Sequence, residues 1–270
     1  MADTDLTLDE WLPRVPRLLD ECVERWRLRL DERYPSGAAG YAVRADLPDG
    51  TPAVLKLSNP HREAEQEADA LERWDGDGAV MLLARDDERC ALLLERCVPG
   101  TFLSDAPDAL DVLIGLLPRL WKSGDGFRPL EEEAAFWVEE IERDVPGGRL
   151  KDAALHYIRE LAPTQGEQVL VHQDLHGENV LAAEREPWLA IDPKPLAGER
   201  EFSAASIVRS FELGHSQRDA LHRLDRLTAE LGLDRERARG WTIAQTVAWS
   251  AGSDYVARHV ETVHWLLEDA

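Results

Sequence analysis

Positive charge, cysteine and long apolar stretches are all scarce in this chain. Its 31 Lys and Arg face 53 Asp and Glu, a formal net charge of −22. An anionic surface of that size repels phosphate backbones and anionic lipids. It argues against nucleic acid or membrane as partners and suits a cationic small molecule, while also serving solubility. Three cysteines, Cys22, Cys90 and Cys97, form an odd set without metal-type spacing, as expected of a reduced, cytoplasmic compartment. No run reaches the roughly 18 apolar residues that a membrane span needs. Met1 to Glu10 is acidic and polar, without the basic start and apolar core of a leader peptide. What is present is a 270-residue chain, 44% hydrophobic, enough to bury the core of one large domain or two lobes. Nothing in it distinguishes a monomer from a homodimer.

The most informative stretch is Val171-His172-Gln173-Asp174-Leu175-His176-Gly177-Glu178-Asn179-Val180-Leu181, followed by Ile191-Asp192-Pro193. Phosphoryl transfer to a hydroxyl needs a carboxylate beside that hydroxyl. It also needs hard oxygen donors for the Mg²⁺ that neutralises the phosphates. Asp174 fits the first role as catalytic base; Asn179 and Asp192 fit the second as metal ligands. A set of polar residues scattered on a loop would lack the short apolar runs on both sides. His172 and His176 read as loop histidines that fix Asp174, with His176 also in reach of substrate.

Periodicity from Leu8 to Arg33 is helical, with Pro13 and Pro16 confining the regular helix to roughly residues 16 to 33. Tyr41 to Leu47 and Thr51 to Leu57 read as strands joined at Pro48-Asp49-Gly50. Pro60 to Trp74 reads as a helix, and Ala79 to Ala84 with Cys90 to Glu95 as a second strand pair. Beyond Cys97-Val98-Pro99-Gly100, a hinge-like break, helices are expected at roughly 108–121, 130–144 and 150–162. Short strands follow at Gln168 to Val171, Asn179 to Ala182 and Trp188 to Ile191, and helices resume from about 203. The layout is α+β: a β-rich lobe over residues 1–96, a helical lobe over 97–270, and a cleft between them.

Lys56 is an interior cation on the strand Ala53-Val54-Leu55-Lys56-Leu57, suited to nucleotide phosphates. The following helix offers Glu67, with Glu63 one turn earlier, to hold it. The small-residue loop containing Ser36 and Gly37 is a candidate phosphate cover and equally a plain connection. Glu95 to Val98, including Cys97, would offer backbone groups to an adenine edge. Glu131 to Glu133, Glu139, Glu140, Glu199, Glu201, Asp254 and Glu261 are candidates to line an acceptor pocket, or else solvated helix faces. Most of the nine tryptophans are expected in the core.

Together these residues resemble the aminoglycoside phosphotransferase family, relatives of the protein kinases. Trp74-Asp75-Gly76-Asp77-Gly78-Ala79-Val80, Leu92-Leu93-Leu94-Glu95-Arg96 with Pro99-Gly100, and Ile191-Asp192-Pro193-Lys194-Pro195-Leu196-Ala197-Gly198-Glu199 look like the aminoglycoside/hydroxyurea resistance kinase branch. The resemblance implies a bilobal protein-kinase-like fold, ATP and Mg²⁺, and phosphorylation of a cationic antibiotic hydroxyl, streptomycin first. Kinases of amino sugars or amino alcohols, and a catalytically inactive binding protein, are the alternatives. The chain departs from the branch at Ser203, where an acidic residue is usual; at Ser210, after Arg209, in place of Asn; and at Gln173, in place of the commoner glycine. Ser203 is still able to cap the helix that follows.

Overall fold

The structure is a computed structural model that describes residues 7–34, 40–250 and 256–269. The chain folds as two units, Met1–Thr101 with Leu181–Lys194, and Phe102–Val180 with Pro195–Ala270. The linear reading divides the chain once, between residues 96 and 97. The structure instead returns a mid-chain hairpin to the first unit.

The chain begins with α1 (Leu8–Trp11) and α2 (Val15–Trp26). The helix expected to run to Arg33 stops at Trp26. Arg27 turns left-handed (φ 53°) and Leu28 N–H closes back onto the Val23 carbonyl at 3.1 Å. This is a helix stop that normally uses glycine, so no sequence signal marks it. Residues Arg29–Arg33 then form β1, a charged edge strand whose Arg29 pairs with Asp46 at 2.6 Å. Charge on an edge discourages pairing with foreign strands. β2 (Gly40–Asp46), β3 (Pro52–Ser58), α3 (Glu67–Trp74), β4 (Leu82–Asp86) and β5 (Ala91–Glu95) follow. The strands make an antiparallel sheet in the order β1-β2-β3-β5-β4.

Alternation along β3 decides what faces where. Ala53, Leu55 and Leu57 are fully buried and pack with Trp11, Val15 and Cys22 from the N-terminal helices and with Ala45, Ala91 and Leu93 from the neighbouring strands. Each buried leucine contributes about 1.5–3 kcal/mol. Lys56, one residue out of phase, faces the other side, in register with Ala42 and Leu92.

The second unit carries α4 (Ala109–Leu120), α5 (Leu130–Asp144), α6 (Arg149–Leu161) and β6 (Gln168–Val171). The hairpin β7 (Val180–Ala182) and β8 (Trp188–Ala190) takes the chain into the first unit. The return brings β9 (Leu196–Glu199), α7 (Ala204–Arg209), α8 (Gln217–Leu231), α9 (Arg235–Ala248) and α10 (Val256–Glu268). β9 pairs antiparallel with β6, Leu196 opposite Val171. Leu-Ala-Gly-Glu has no β-branched residue, so it carries little strand signal. α9 is buried continuously from Ala238 to Ala248 and packs against α6, α7 and α10. Trp137, Phe202 and Trp241 stack in series at 5.9 and 5.5 Å, placing two of the tryptophans in this core. Among the described residues no helix is long and apolar enough to cross a membrane.

Candidate active site

In the first unit the site is built around one cation. Lys56 on β3 meets Glu67, the first residue of α3, at 2.6 Å, and hydrogen-bonds Asp192 just beyond β8. Of the two carboxylates offered by the sequence, Glu67 takes the ammonium; Glu63 pairs instead with Lys194 at 3.5 Å. Glu67 is only 3% exposed because Ala68, Ala70, Leu71 and Trp74 draw that face of α3 inward. Burial alone would lower the Lys56 ammonium, but the charges of Asp192 and Glu67 outweigh it and hold it above its ordinary value. The lysine is therefore charged at neutral pH and fixed from two directions. Asp192 sits in the left-handed region (φ 56°), and its side chain is half exposed.

Other predicted residues of this unit do different work. Both carboxylate oxygens of Glu95 lie 2.8 Å from the Arg185 guanidinium, and Oε2 also accepts the Met81 N–H at 3.0 Å. Arg185 further donates to the Gly76 and Ala79 carbonyls, so the Glu95 side chain ties the β7–β8 hairpin to the end of β5. The Glu95 backbone N–H is likewise given to the Met81 carbonyl at 2.9 Å. Cys97 is half-buried, and burial pushes its thiol up to about 12. A thiol so placed is protonated and unreactive at neutral pH. Ser36 and Gly37 lie outside the described residues.

In the second unit the site is built around one anion. β6 ends at Val171, and the chain turns sharply: Gln173 adopts φ 65°, where the branch commonly has glycine, and Asp174 N–H donates to the His172 carbonyl at 2.9 Å. A non-glycine residue in this region costs about 1–2 kcal/mol. The surroundings hold it there: Gln245 of α9 donates to the Gln173 carbonyl at 3.1 Å, and His172 and Gln173 are both buried. Asn179 donates through Nδ2 to the Asp174 carbonyl at 2.8 Å, which turns the amide oxygen away from the loop. Gly177 is required by close approach, since a Cβ there would stand 3.0 Å from the Ser104 backbone.

Three partners of this loop come from α7 and the segment after it, and sequence reasoning did not find them. Ser206 donates to the Leu175 carbonyl at 2.8 Å. Arg209 donates to Asp174 Oδ1 at 3.1 Å. Glu212 accepts from His176 Nδ1 at 3.0 Å and from the Gly177 N–H at 3.2 Å, and is itself held by Ser210 at 2.8 Å. Burial opposes charge on both members of the His176–Glu212 pair. Their hydrogen bond prevails, raising the imidazole above its ordinary value and lowering the carboxyl below its own. Ser203 does not cap α7 as expected; it accepts the Trp121 indole N–H at 3.0 Å, and Ser206 anchors the loop instead.

The acidic candidates divide. Glu199 is buried and holds Arg237 at 2.8 Å together with the Trp241 indole N–H and the Gly166 N–H. Glu133 is buried against Arg128 at 3.0 Å. Neither is available to line a pocket, because each is already the counter-ion of an internal arginine. Glu201 accepts the Asp234 N–H at the start of α9. Glu261 pairs with His215 at 2.7 Å, in the segment that follows Arg209. Glu131, Glu132 and Glu139 are exposed on α5, and Glu140 lies 3.9 Å from Arg143 on the same helix. Asp254 lies outside the described residues.

Sequence comparison places these geometries among known proteins. The chain is 41% identical over 252 residues to a streptomycin 6-kinase of Streptomyces griseus, covering 87% of this chain and 81% of that protein. It is also 41% identical over 254 residues to a hydroxyurea phosphotransferase of Kitasatospora aureofaciens, covering 88% and 73%. The solved choline kinase LicA from Streptococcus pneumoniae superposes with a TM-score of 0.70 at 17% identity over 94% of this chain and 99% of that one, so the fold is protein-kinase-like. The profile of the aminoglycoside/hydroxyurea antibiotic resistance kinases matches residues 25–255, and the chain belongs to that family.

Proposed function

We propose that this protein transfers the γ-phosphoryl group of ATP to a hydroxyl of an aminoglycoside, with the 6-hydroxyl of streptomycin as the first acceptor. The observation that carries the reading is the Asp174 loop. A carboxylate held by Arg209 and backed by Asn179 lies in a chain 41% identical to a streptomycin 6-kinase. Asp174 receives the proton of the acceptor hydroxyl as its oxygen bonds to phosphorus and the bond to the β-phosphate oxygen breaks, releasing ADP. Lys56, fixed by Glu67, is assigned to the phosphates, and the backbone of Glu95 and Cys97 to the adenine edge. Ser36 and Gly37 are assigned to the phosphate cover. Apart from Cys97, nucleotide binding is assigned to residues 1–96, and the catalytic loop, metal ligands and acceptor pocket to residues 97–270.

The donors assigned to a metal suit Mg²⁺. Asp192 and Asn179 offer hard oxygens, and the Asn179 amide is already turned with its nitrogen toward the Asp174 carbonyl. Bound with nucleotide, Mg²⁺ neutralises phosphate charge. The residues themselves hold the ammonium, the carboxylate and the amide in fixed directions beforehand.

A second reading rests on the equal identity to a hydroxyurea phosphotransferase. A net charge of −22 favours the cationic acceptor over the neutral one. Incubation with labelled ATP·Mg²⁺ and either streptomycin or hydroxyurea, with the product located by NMR, separates the two. Phosphate on streptomycin supports the first reading. Phosphate on hydroxyurea alone supports the second, and turnover only of an amino sugar or amino alcohol removes both.

A further inference from the structure

Arg209 ends α7 and is 8% exposed, too buried for a surface cation. Among its contacts are two from different parts of the second unit. Nη2 donates to Asp174 Oδ1 at 3.1 Å, and Cζ lies 4.3 Å from the centroid of the Trp249 ring at the end of α9. The two contacts have different consequences. Stacking on an indole fixes the plane of the guanidinium without consuming its N–H donors. A guanidinium whose plane is fixed offers its N–H in one direction, and a charge-assisted bond along that direction fixes the carboxylate that accepts it. The terminal torsion of an aspartate is otherwise broad.

We propose that Arg209, clamped by Trp249, is a positioning residue that holds the Asp174 carboxylate in its working orientation. The proposal rests on the assignment of Asp174 as base. Orientation matters here because proton acceptance and nucleophile alignment depend on geometry before basicity. The clamp spans α7, the loop after β6 and the end of α9, so packing of the helical core is translated into the aim of one carboxylate. Ser206, donating to the Leu175 carbonyl from the same helix, fixes the backbone of that loop, while Arg209 fixes its side chain.

The test is a kinetic cycle on the full-length protein with ATP·Mg²⁺, using streptomycin as acceptor and, in parallel, water through the slow hydrolysis of ATP. Arg209→Gln should lower kcat by about ten- to a hundredfold, with KM for ATP and streptomycin within about twofold of native. Arg209→Lys keeps the charge but not the fork or the stack, and should recover only part of that loss. Trp249→Leu should show a smaller kcat loss with the same unchanged KM values. It carries the test alone if Arg209→Gln does not fold by circular dichroism. The double variant Asp174→Ala/Arg209→Gln should be no slower than Asp174→Ala, because a residue acting through the carboxylate has nothing to position once it is gone. Losses that multiply in the double variant, a native kcat in Arg209→Gln and Trp249→Leu, or an effect confined to KM would each overturn the proposal. A near-native rate in Asp174→Ala would instead overturn the assignment of the base. Absence of streptomycin phosphorylation by the native protein removes the substrate assignment and leaves the water reaction to read the clamp.

Discussion

The two units hold their working groups in opposite polarity. The first fixes a cation, Lys56, between carboxylates 11 and 136 residues away in the chain. The second fixes an anion, Asp174, between a guanidinium 35 residues away and an amide five residues away. Both arrangements answer the same requirement, that a charge removed from water be met by opposite charge or directed hydrogen bonds. They differ in what they leave available. The lysine is enclosed and has little freedom, as suits a group proposed to meet phosphates of constant shape. The aspartate is held less tightly, by Arg209 at 3.1 Å on Oδ1 and by Asn179 at 3.5 Å on Oδ2, as suits a group proposed to meet an incoming hydroxyl.

The comparison breaks most visibly in kinetics. Asp174→Ala should lower kcat by about 10²–10⁴ with nucleotide binding preserved, the range for loss of a general base. Lys56→Met should act chiefly on kcat/KM for ATP, since the ammonium is assigned to the nucleotide. Steady-state kinetics varying ATP and acceptor separately, beside nucleotide titration by calorimetry, would check both. If the two variants share one kinetic signature, the division of labour between the units is wrong.

Glu199 sharpens the contrast from the other side. Its side chain is 2% exposed against 14% for Asp174, and its partners are Arg237, the Trp241 indole N–H and the Gly166 N–H, all within its own unit. Glu199→Ala leaves Arg237 without its counter-ion and should cost about 3–5 kcal/mol of stability, read as a lowered midpoint in urea unfolding. At a temperature where the variant is folded, both KM values should be native. A raised KM for a cationic acceptor with unchanged stability would restore Glu199 to the acceptor pocket.

That case shows which parts of the chain were legible and which were not. The spacing of Asp174, Asn179 and Asp192 is linear, and a strand followed by a helix with glutamates on one face announces the Lys56–Glu67 pair. Arg209 and Glu212 were illegible because their partners lie some 35 residues back, across the β7–β8 hairpin and β9, and no local pattern encodes that pairing. Glu133 and Glu199 were misread because sequence shows charge without showing burial. β1 was lost to the preceding helix because Arg27 performs a left-handed stop without glycine, and β9 because its residues have no strand propensity of their own.

Acid should reveal a further asymmetry, in the second unit. His259 of α10 is buried beside Arg209 and His215, with Nδ1 3.2 Å from Ser250 Oγ, and burial first, then the electrostatic influence of those two neighbours, lowers it to about 4. The unfolded chain takes up this proton near pH 6.5. Stability from the neutral form is therefore complete above about 6.5 and is lost as pH falls toward about 4, reaching about 2–3 kcal/mol. The raised His176 runs the other way: its contribution is complete below its ordinary value and fades as pH rises through the elevated one. Urea midpoints across this range should flatten on the acid side in His259→Gln, while an unchanged acid slope would assign the loss to carboxylates.

The smallest effect concerns the turn that presents Asp174. Gln173 and Asp192 both occupy the left-handed region, at φ 65° and 56°, so each unit bends its backbone sharply at the carboxylate it presents. Aspartate tolerates that conformation because its short side chain bonds locally; glutamine has no such relief. Gln173→Gly should remove about 1 kcal/mol of strain. It should also add about 0.5–1 kcal/mol of unfolded-state entropy and lose the packing of a buried side chain. The net change in stability should stay within about 1 kcal/mol of native. Gln173→Val, β-branched at the same φ, should be clearly destabilised, because its Cβ substituents meet the following carbonyl. Unfolding midpoints for this pair, beside glycine and valine at Asp192, would show whether the turns are equivalent. If Gln173→Val matches Gln173→Gly, the left-handed turn is not what presents Asp174 in the second unit.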